Sequence, residues 1–553
     1  MGVSTLAGEE VAPRERPMTK LVLPVLVLAA LSSPLAGQPF HLVAGDGAAG
    51  DQFGKPYNLP DEDGPAVAMS GDWVALGSGR DEVGGQAERG SVSMFRRSGD
   101  LWNESVITVA SGEAGDRFGA AVALSGDVLV VGAPRDEVDG SIRRGSAWVF
   151  RWDGSSWVEE QQLVIPGPVF SHSQEFGSCV TVLGDVIAVS SDQEGGVGTV
   201  RVFRFDGATW IHEQQLVTPS IDPDETFGSA LALGQDRLFV GDPVPFVGIS
   251  GQGAVHVYHW DGALWSQEQL LTPDASAGVA FFGASLSTHG DALAVGAQFA
   301  MVNGVDGTGM VSIYRRAGST WSLEQDVVQA SAATFDAFGA AVALSGELLV
   351  VGASYATVGS NVWQGSAIVF RRTGGTWVEG ETLAAPGGKT SDLFGAGVAG
   401  HGQRFVFAVP QDDIGSAPDV GSAWAFDLPG GAFEDAGCAH AGVAGHPLLT
   451  GAGDLSSGSG NEVRLTDAAP NALAGLFLAL GSTPTPFKGG TLKPVPFFEP
   501  TLLLTSGDGA IPLPFVMPAG VPAATEIWAQ WAIQDGAATK GVSLSNALVG
   551  LTP

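Results

Sequence analysis

Cysteine, positive charge and long apolar runs are all scarce in this sequence. There are two cysteines, Cys179 and Cys438, in 553 residues. They lie in segments of different character, so no disulfide is assumed and buried thiols are expected. Charged residues are 15% of the chain and hydrophobic residues 44%, a combination that excludes disorder. Lysine and arginine number 26 against 59 acidic residues, giving a formal net charge of −33. A nucleic-acid partner is excluded, because binding a polyanion relies on cations that displace counterions. Acidity of this kind suits the solubility of an extracellular protein. The longest apolar run, Leu21–Leu31, is too short to span a bilayer comfortably, and no later segment resembles a membrane span.

That run has another reading. Lys20 precedes it, Arg14 and Arg16 add to the positive flank, and Ser32-Ser-Pro-Leu-Ala-Gly37 follows it. A cationic flank, a short apolar core and small residues make a secretory signal, with cleavage expected near Gly37 and Met18 as an alternative start. The mature chain is expected to be exported, and soluble or peripherally attached.

Glycine and proline are abundant, at 80 and 32 residues, which suits short strands joined by tight turns. The segment Phe118-Gly-Ala-Ala-Val-Ala-Leu-Ser-Gly-Asp-Val-Leu-Val-Val-Gly-Ala-Pro134 recurs from Phe176, Phe227, Phe282, Phe338 and Phe394. For the first copy, Phe53-Gly54 has the right marker but lies too far from Gly77, whereas Asp63–Gly77 aligns without a gap. With Asp63 as the first start, successive copies begin 55, 58, 51, 55, 56 and 56 residues apart. A near-constant period over seven copies signals a propeller or solenoid.

Each copy resolves into four strands. Gly71, Gly126, Gly184, Gly290, Gly346 and Gly402 mark the first hairpin, and glycines from Gly90 to Gly421 open the third strand. A fourth strand starts at Trp102, Trp157, Trp210, Trp265, Trp321 or Trp377 and often continues as Glu-Gln-Gln-Leu. Four antiparallel strands per repeat make a propeller blade, and the recurring Phe and Trp are read as packing between blades. The last copy lacks its fourth strand, but Gln38-Pro-Phe-His-Leu-Val43 has the character of one. We therefore expect the N-terminal strand to complete the seventh blade and leave no open edge.

The Phe-Gly…Gly-Ala-Pro pattern, clearest at Phe118-Gly119 and Gly132-Ala133-Pro134, resembles the FG-GAP repeat family, which includes the seven-bladed head of integrin α chains. The resemblance runs from about residue 38 to 435. It implies a propeller fold, an extracellular location and a role in adhesion or ligand binding. The family's Asp-rich calcium loop is missing: Ser125-Gly126-Asp127 is too short to supply the six to eight oxygens of a calcium cage. The longer loops carry Asp136-Glu137-Val-Asp139, Asn303–Gly307 and Asp412-Asp413, none with the spaced Asp pattern. No cofactor and no metal site is therefore expected, calcium being the one ion the acidity would draw.

From Ala436 the repeat stops. Strand-like runs at 461–466, 473–480, 501–505, 526–533 and 542–548 read as a small β-sandwich. The expected organisation is all-β: a signal and preceding segment over 1–37, a seven-bladed propeller over 38–435 and a β-sandwich over 436–553. The ending from Trp528 to Leu548 is similar to a C-terminal module of some bacterial secreted proteins.

No catalytic motif appears. Gly388-Lys389-Thr390 has the tail of a phosphate loop, but Leu383 stands where its first glycine belongs. His256 and His259 are three apart on a strand, so they face opposite sides and cannot chelate one ion. Asn103-Glu104-Ser105 fits a glycosylation sequon. No catalytic residue is assigned. The expected function is non-enzymatic binding of an extracellular protein or glycan, the alternative being a carbohydrate-active hydrolase or lyase with an irregular loop at Pro243–Gly251 or Phe299–Gly307.

Overall fold

The computed structural model describes residues 39–551, apart from 54–65, 99–100, 167–173, 192–197, 218–225, 235, 244–251, 274–280, 332, 374, 429–432, 438–446 and short stretches of one to four residues between 453 and 546. The leader and Cys438 thus lie outside the described residues.

Among the described residues the first twenty-eight strands form seven four-stranded antiparallel sheets. The second blade shows the pattern. Ala121–Ser125, Val128–Ala133, Ser146–Trp152 and Trp157–Leu163 pair in succession, in order of sequence. Its second strand, Val-Leu-Val-Val-Gly-Ala, is buried at every position, because blades cover both of its faces. Its fourth strand is exposed or half-buried until Leu163, as an outer strand should be. The hairpin glycines Gly71, Gly126, Gly184, Gly290, Gly346 and Gly402 all have φ between 56° and 61°, which a Cβ would make unfavourable.

The blades close into a ring. Seven separate apolar cores each combine side chains of two neighbouring sheets, and the last joins the seventh sheet to the first. Each core takes in one marker phenylalanine. Phe118, Phe176, Phe227, Phe282, Phe338 and Phe394 are all at most 1% exposed. The markers are also clamped by backbone. The N–H of Phe176 donates to the Arg144 carbonyl, and those of Phe338 and Phe394 donate to Thr308 and Gln364. Each of these acceptors sits just before a third-strand glycine of the preceding blade. Those glycines, Gly145, Gly309 and Gly365, have φ between 79° and 86°, and a Cβ on Gly145 would collide with the Phe176 backbone.

The first blade corrects the alignment read from sequence. Phe53, not Asp63, occupies the marker position. It is buried, it forms a parallel bridge with Gly421 of the seventh blade, and its N–H donates to the Val420 carbonyl. The extra length that hid it falls in 54–65, outside the described residues.

The seam is closed by the N-terminal strand. Phe40–Leu42 pairs antiparallel with Ser422–Asp427 as the fourth strand of the last sheet, with Leu42 buried opposite Ala423. Arg97 of the first blade reaches across to Asp427 with two hydrogen bonds, at 2.8 and 3.1 Å, and Arg404 holds the same carboxylate at 2.7 Å.

The chain then builds a β-sandwich. A six-stranded sheet runs in the order Phe433–Gly437, Ala547–Leu551, Glu526–Gln534, Leu473–Ala479, Thr501–Leu504, with Val542–Leu544 also on Glu526–Gln534. A second sheet joins Leu448–Ala452, Gly460–Thr466 and Ile511–Val516. Leu449, Val463, Leu465 and Ile511 of this sheet share one core with Leu476, Ala529, Trp531 and Ile533 of the other. The strand Phe433–Gly437 straddles the expected boundary at 435. The proline-bearing strands Ser482–Phe487 and Ile511–Val516 were not expected from sequence. In the three-stranded sheet Ile511–Val516 is an edge strand, where proline withholds no required ladder donor.

Candidate functional site

Two kinds of loop meet at one rim of the ring. One joins the second and third strands of a blade; the other leads from a fourth strand into the next blade. They are tied by backbone hydrogen bonds, Arg135 N–H to the Asp116 carbonyl, Tyr355 N–H to Asp336 and Gln411 N–H to Asp392. Most of the second-to-third connections are further pinched by a small bridge, as at Val138 with Ser141 and Val302 with Val305.

The carboxylates of this rim are largely turn-formers. Four blades carry Asp two residues before the marker Phe: Asp51, Asp116, Asp336 and Asp392. Each side chain accepts the backbone N–H three residues earlier, from Ala48, Glu113, Ala333 and Lys389. All four are buried. Burial pushes the Asp116 carboxyl up to about 6, with the Asp136 charge adding to the rise and the Glu113 amide opposing it. Burial likewise pushes Asp392 up to about 6, with Asp412 and Asp413 adding and the Lys389 amide opposing. The Asp-x-Phe-Gly spacing is visible in the sequence, although it carries no motif of known chemistry.

The acidic loops are similarly engaged. Asp136 accepts the Ser146 hydroxyl and the Gln162 amide, the latter at 3.0 Å. Asp139 pairs with the buried Arg144 at 2.9 Å. Asp412 accepts from the Ser422 hydroxyl and from His41, the latter at 3.2 Å. Burial alone would raise Asp412, but these hydrogen bonds outweigh it and hold the carboxyl below the usual range. Among the described residues, no three His, Cys, Asp or Glu side chains converge in a metal-holding group.

The remaining sequence candidates are dispersed. His256 is buried against the Phe227 ring, whereas His259 is half-exposed beside Asp236, so the two do face apart. Leu383 ends a fourth strand and packs in the core between the sixth and seventh blades, and Lys389 reaches Asp413 at the surface. Asn103 is exposed on the fourth strand of the first blade. Cys179 is buried, with its backbone N–H donating to the Ser190 hydroxyl at 2.9 Å. The loop Phe299–Gly307 is a bridged turn, and the Pro243–Gly251 loop falls outside the described residues beyond Pro243.

The recurring Trp, Glu and Gln have a role that sequence reasoning left incomplete. Gln161 donates to the Trp210 carbonyl at 2.9 Å and accepts the Trp210 N–H at 2.8 Å. Gln214 with Trp265, Gln269 with Trp321 and Gln325 with Trp377 repeat this two-bond latch from one blade to the next. The indole N–H of Trp210, Trp265 and Trp377 also donates to Glu160, Glu213 and Glu324 of the preceding blade. Those glutamates are in turn paired with Arg151, Arg204 and Arg315.

The FG-GAP repeat family matches residues 102–150 and 321–370, so these two segments carry FG-GAP repeats, each reaching from the fourth strand of one blade into the third strand of the next. No curated protein sequence matches it. Among solved structures, one described as "a putative 6-phosphogluconolactonase from Bacteroides uniformis" is 12% identical, with a TM-score of 0.41, over 62% of this chain and 90% of that one. The β-propeller domain of the Trilobed protease from Pyrococcus furiosus is 8% identical, with a TM-score of 0.35, over 62% and 89%. Likenesses this distant carry no functional argument. Among the described residues no helix is long and apolar enough to cross a membrane.

Proposed function

We propose that this protein is a secreted, non-enzymatic binding or adhesion module whose rim loops engage an extracellular protein or glycan. One observation carries the reading: the side chains that repeat from blade to blade are occupied in joining blades, so what is left to vary lies on the rim. The marker Phe fills the inter-blade core, the Gln–Trp latch ties fourth strands, and the Asp before the marker forms a turn. A rigid frame presenting variable loops suits a recognition surface. The leader-like segment before Gly37 supports export. A glycan array on the purified full chain, run beside hydrolase and lyase assays on the same polysaccharides, tests it. The expected result is retention without turnover; turnover of any polysaccharide would replace this reading with a carbohydrate-active enzyme.

A further inference from the structure

The rim is not chemically uniform. In the first and second blades its loops carry ion pairs, Arg117 with Glu88 at 3.0 Å and Arg144 with Asp139 at 2.9 Å. In the fifth and sixth blades the loops 299–308, 328–337 and 354–365 hold no Lys, Arg or His, and Asp306 and Asp336 are their only acids. Aromatic rings take the place of the charges. Phe335 is 58% exposed and Trp363 51%. The Tyr355 ring lies 6.0 Å from that of Trp363, and the Tyr355 N–H is bonded to Asp336, the neighbour of Phe335. The Phe335 ring lies against Gly307, and a second pair, Phe281 and Phe299, sits 5.2 Å apart in the fifth blade.

Folding does not explain these rings. Phe335 has φ of 64°, in the left-handed region, at the position where the first and second blades carry Gly50 and Gly115. Trp363 has φ of 57° where other blades carry Glu88, Arg143, Gly307 or Asp419. A bulky residue is disfavoured in that backbone, and a ring that stays more than half exposed gains little from burial. Strain retained on an exposed surface points from the outlier to a function. Exposed polar side chains lie in the same loops, Asn303, Thr357 and Ser360, and each can exchange hydrogen bonds with a hydroxyl.

We propose that this aromatic arc on the fifth and sixth blades is a binding site for a neutral, pyranose-based polysaccharide. Charge complementarity makes the choice. A uronate or sulfated polymer needs several cations; the three loops hold none, the adjoining loop 384–393 brings only Lys389, which is already paired with Asp413, and the net charge of −33 repels such a polymer. A basic peptide is better matched by the acidic loops of the other blades, where Glu82 and Glu137 are exposed. A neutral sugar needs what the arc offers, flat aromatic faces for its C–H faces and oxygens for its hydroxyls. The inference rests on the binding reading above and narrows it to one sector and one ligand class.

Affinity electrophoresis of the full chain tests it, with gels containing galactomannan, hydroxyethylcellulose, starch or polygalacturonate, and an octa-arginine titration at physiological salt alongside. At least one neutral polymer should retard the protein. Phe335→Gly and Trp363→Glu should each weaken that retardation by up to roughly tenfold, the size expected for one lost ring stack. Neither should lower the melting temperature, because each installs the residue another blade already carries. Leu101→Ser, on an exposed hairpin of the first blade, should bind as the parent does. Retardation that survives both ring variants would overturn the arc while leaving a binding role intact. Response to none of the neutral polymers, or only to polygalacturonate or octa-arginine, would overturn the ligand class. A lower melting temperature in both ring variants would show that the rings serve the fold instead.

Discussion

Asp136 and Glu137 are neighbours in one acidic loop, yet they have different physical roles. Asp136 ties the loop to the third and fourth strands through Ser146 and Gln162, whereas Glu137 is exposed. Asp136→Ala should lower stability by about 1–3 kcal/mol, because the buried Ser146 hydroxyl loses its acceptor and Gln162 its anchor. Glu137→Ala should be neutral; urea unfolding of both distinguishes them. Equal effects would mean that the loop is uniformly solvated. A second residue-scale expectation concerns pH. Asp116 titrates near 3.8 unfolded and about 6 folded. Between those values the folded state binds more protons, so this group's contribution to stability falls as pH rises through the window. Asp392 acts in the same direction. Asp116→Asn keeps an acceptor for the Glu113 amide and removes the charge. It should raise the melting temperature at pH 7.5 and change it little at pH 4. No gain at pH 7.5 would show that the carboxylate is not penalised by burial.

Among the elements, the N-terminal strand and the fourth-strand latches hold different joints of the ring. Deleting residues 38–43 removes the partner of Ser422–Asp427 and leaves an unpaired edge at the seam. Thermal melts and light scattering should then show a marked loss of stability with concentration-dependent association. A deletion mutant with the parent's melting temperature would mean that the seam is held by the remaining contacts of the first and seventh blades, their shared core, the Phe53–Val420 hydrogen bond and the Arg97–Asp427 pair. The latches act at the joints from the second to the sixth blade. Gln269→Ala removes both bonds to the Trp321 backbone and should cost about 1–3 kcal/mol by chemical denaturation. In the sixth blade Glu381 stands where that Gln belongs, and its carboxylate pairs with Arg371 of the same blade instead. Glu381→Ala should therefore cost less than Gln269→Ala, since an ion pair that is partly exposed contributes little. An equal cost would mean that the two-bond latch is not what stabilises the joint.

For the whole molecule the governing quantity is the net charge of −33. Self-repulsion of this size should make the melting temperature rise with added monovalent salt, since screening shortens its reach. Removing divalent cations with EDTA should have little effect beyond that of ionic strength. Asp136, Asp139 and Asp412 already have their own hydrogen-bond or ion-pair partners, so none waits for a metal. A large loss of stability in EDTA that calcium alone restores would show a site in the acidic loops.

Much of the ring was legible from sequence because its signals are local and periodic. A glycine in the first hairpin, a Phe-Gly marker and a Trp-headed fourth strand recur at nearly fixed distance, and the short apolar runs between turn residues read as strands. Even the N-terminal contribution to the last blade could be read, because Gln38–Val43 resembles the strand the last repeat lacks. Tertiary structure decided what depends on distant partners. Phe53 was hidden by the extra length of 54–65, and only its bridge to Gly421, across the seam, reveals it as the first marker. Gln161 and its counterparts look like ordinary solvent-facing polar residues until the next blade brings a Trp backbone to them. In the sandwich strand Ile511–Val516, Pro512 and Pro514 argue locally against a strand, and only its edge position removes that objection. The aromatic arc also depends on distant partners. Phe335 and Trp363 belong to two different loops half a repeat apart, and it is the folding of the fifth and sixth blades onto one rim that brings those loops together and leaves both rings exposed.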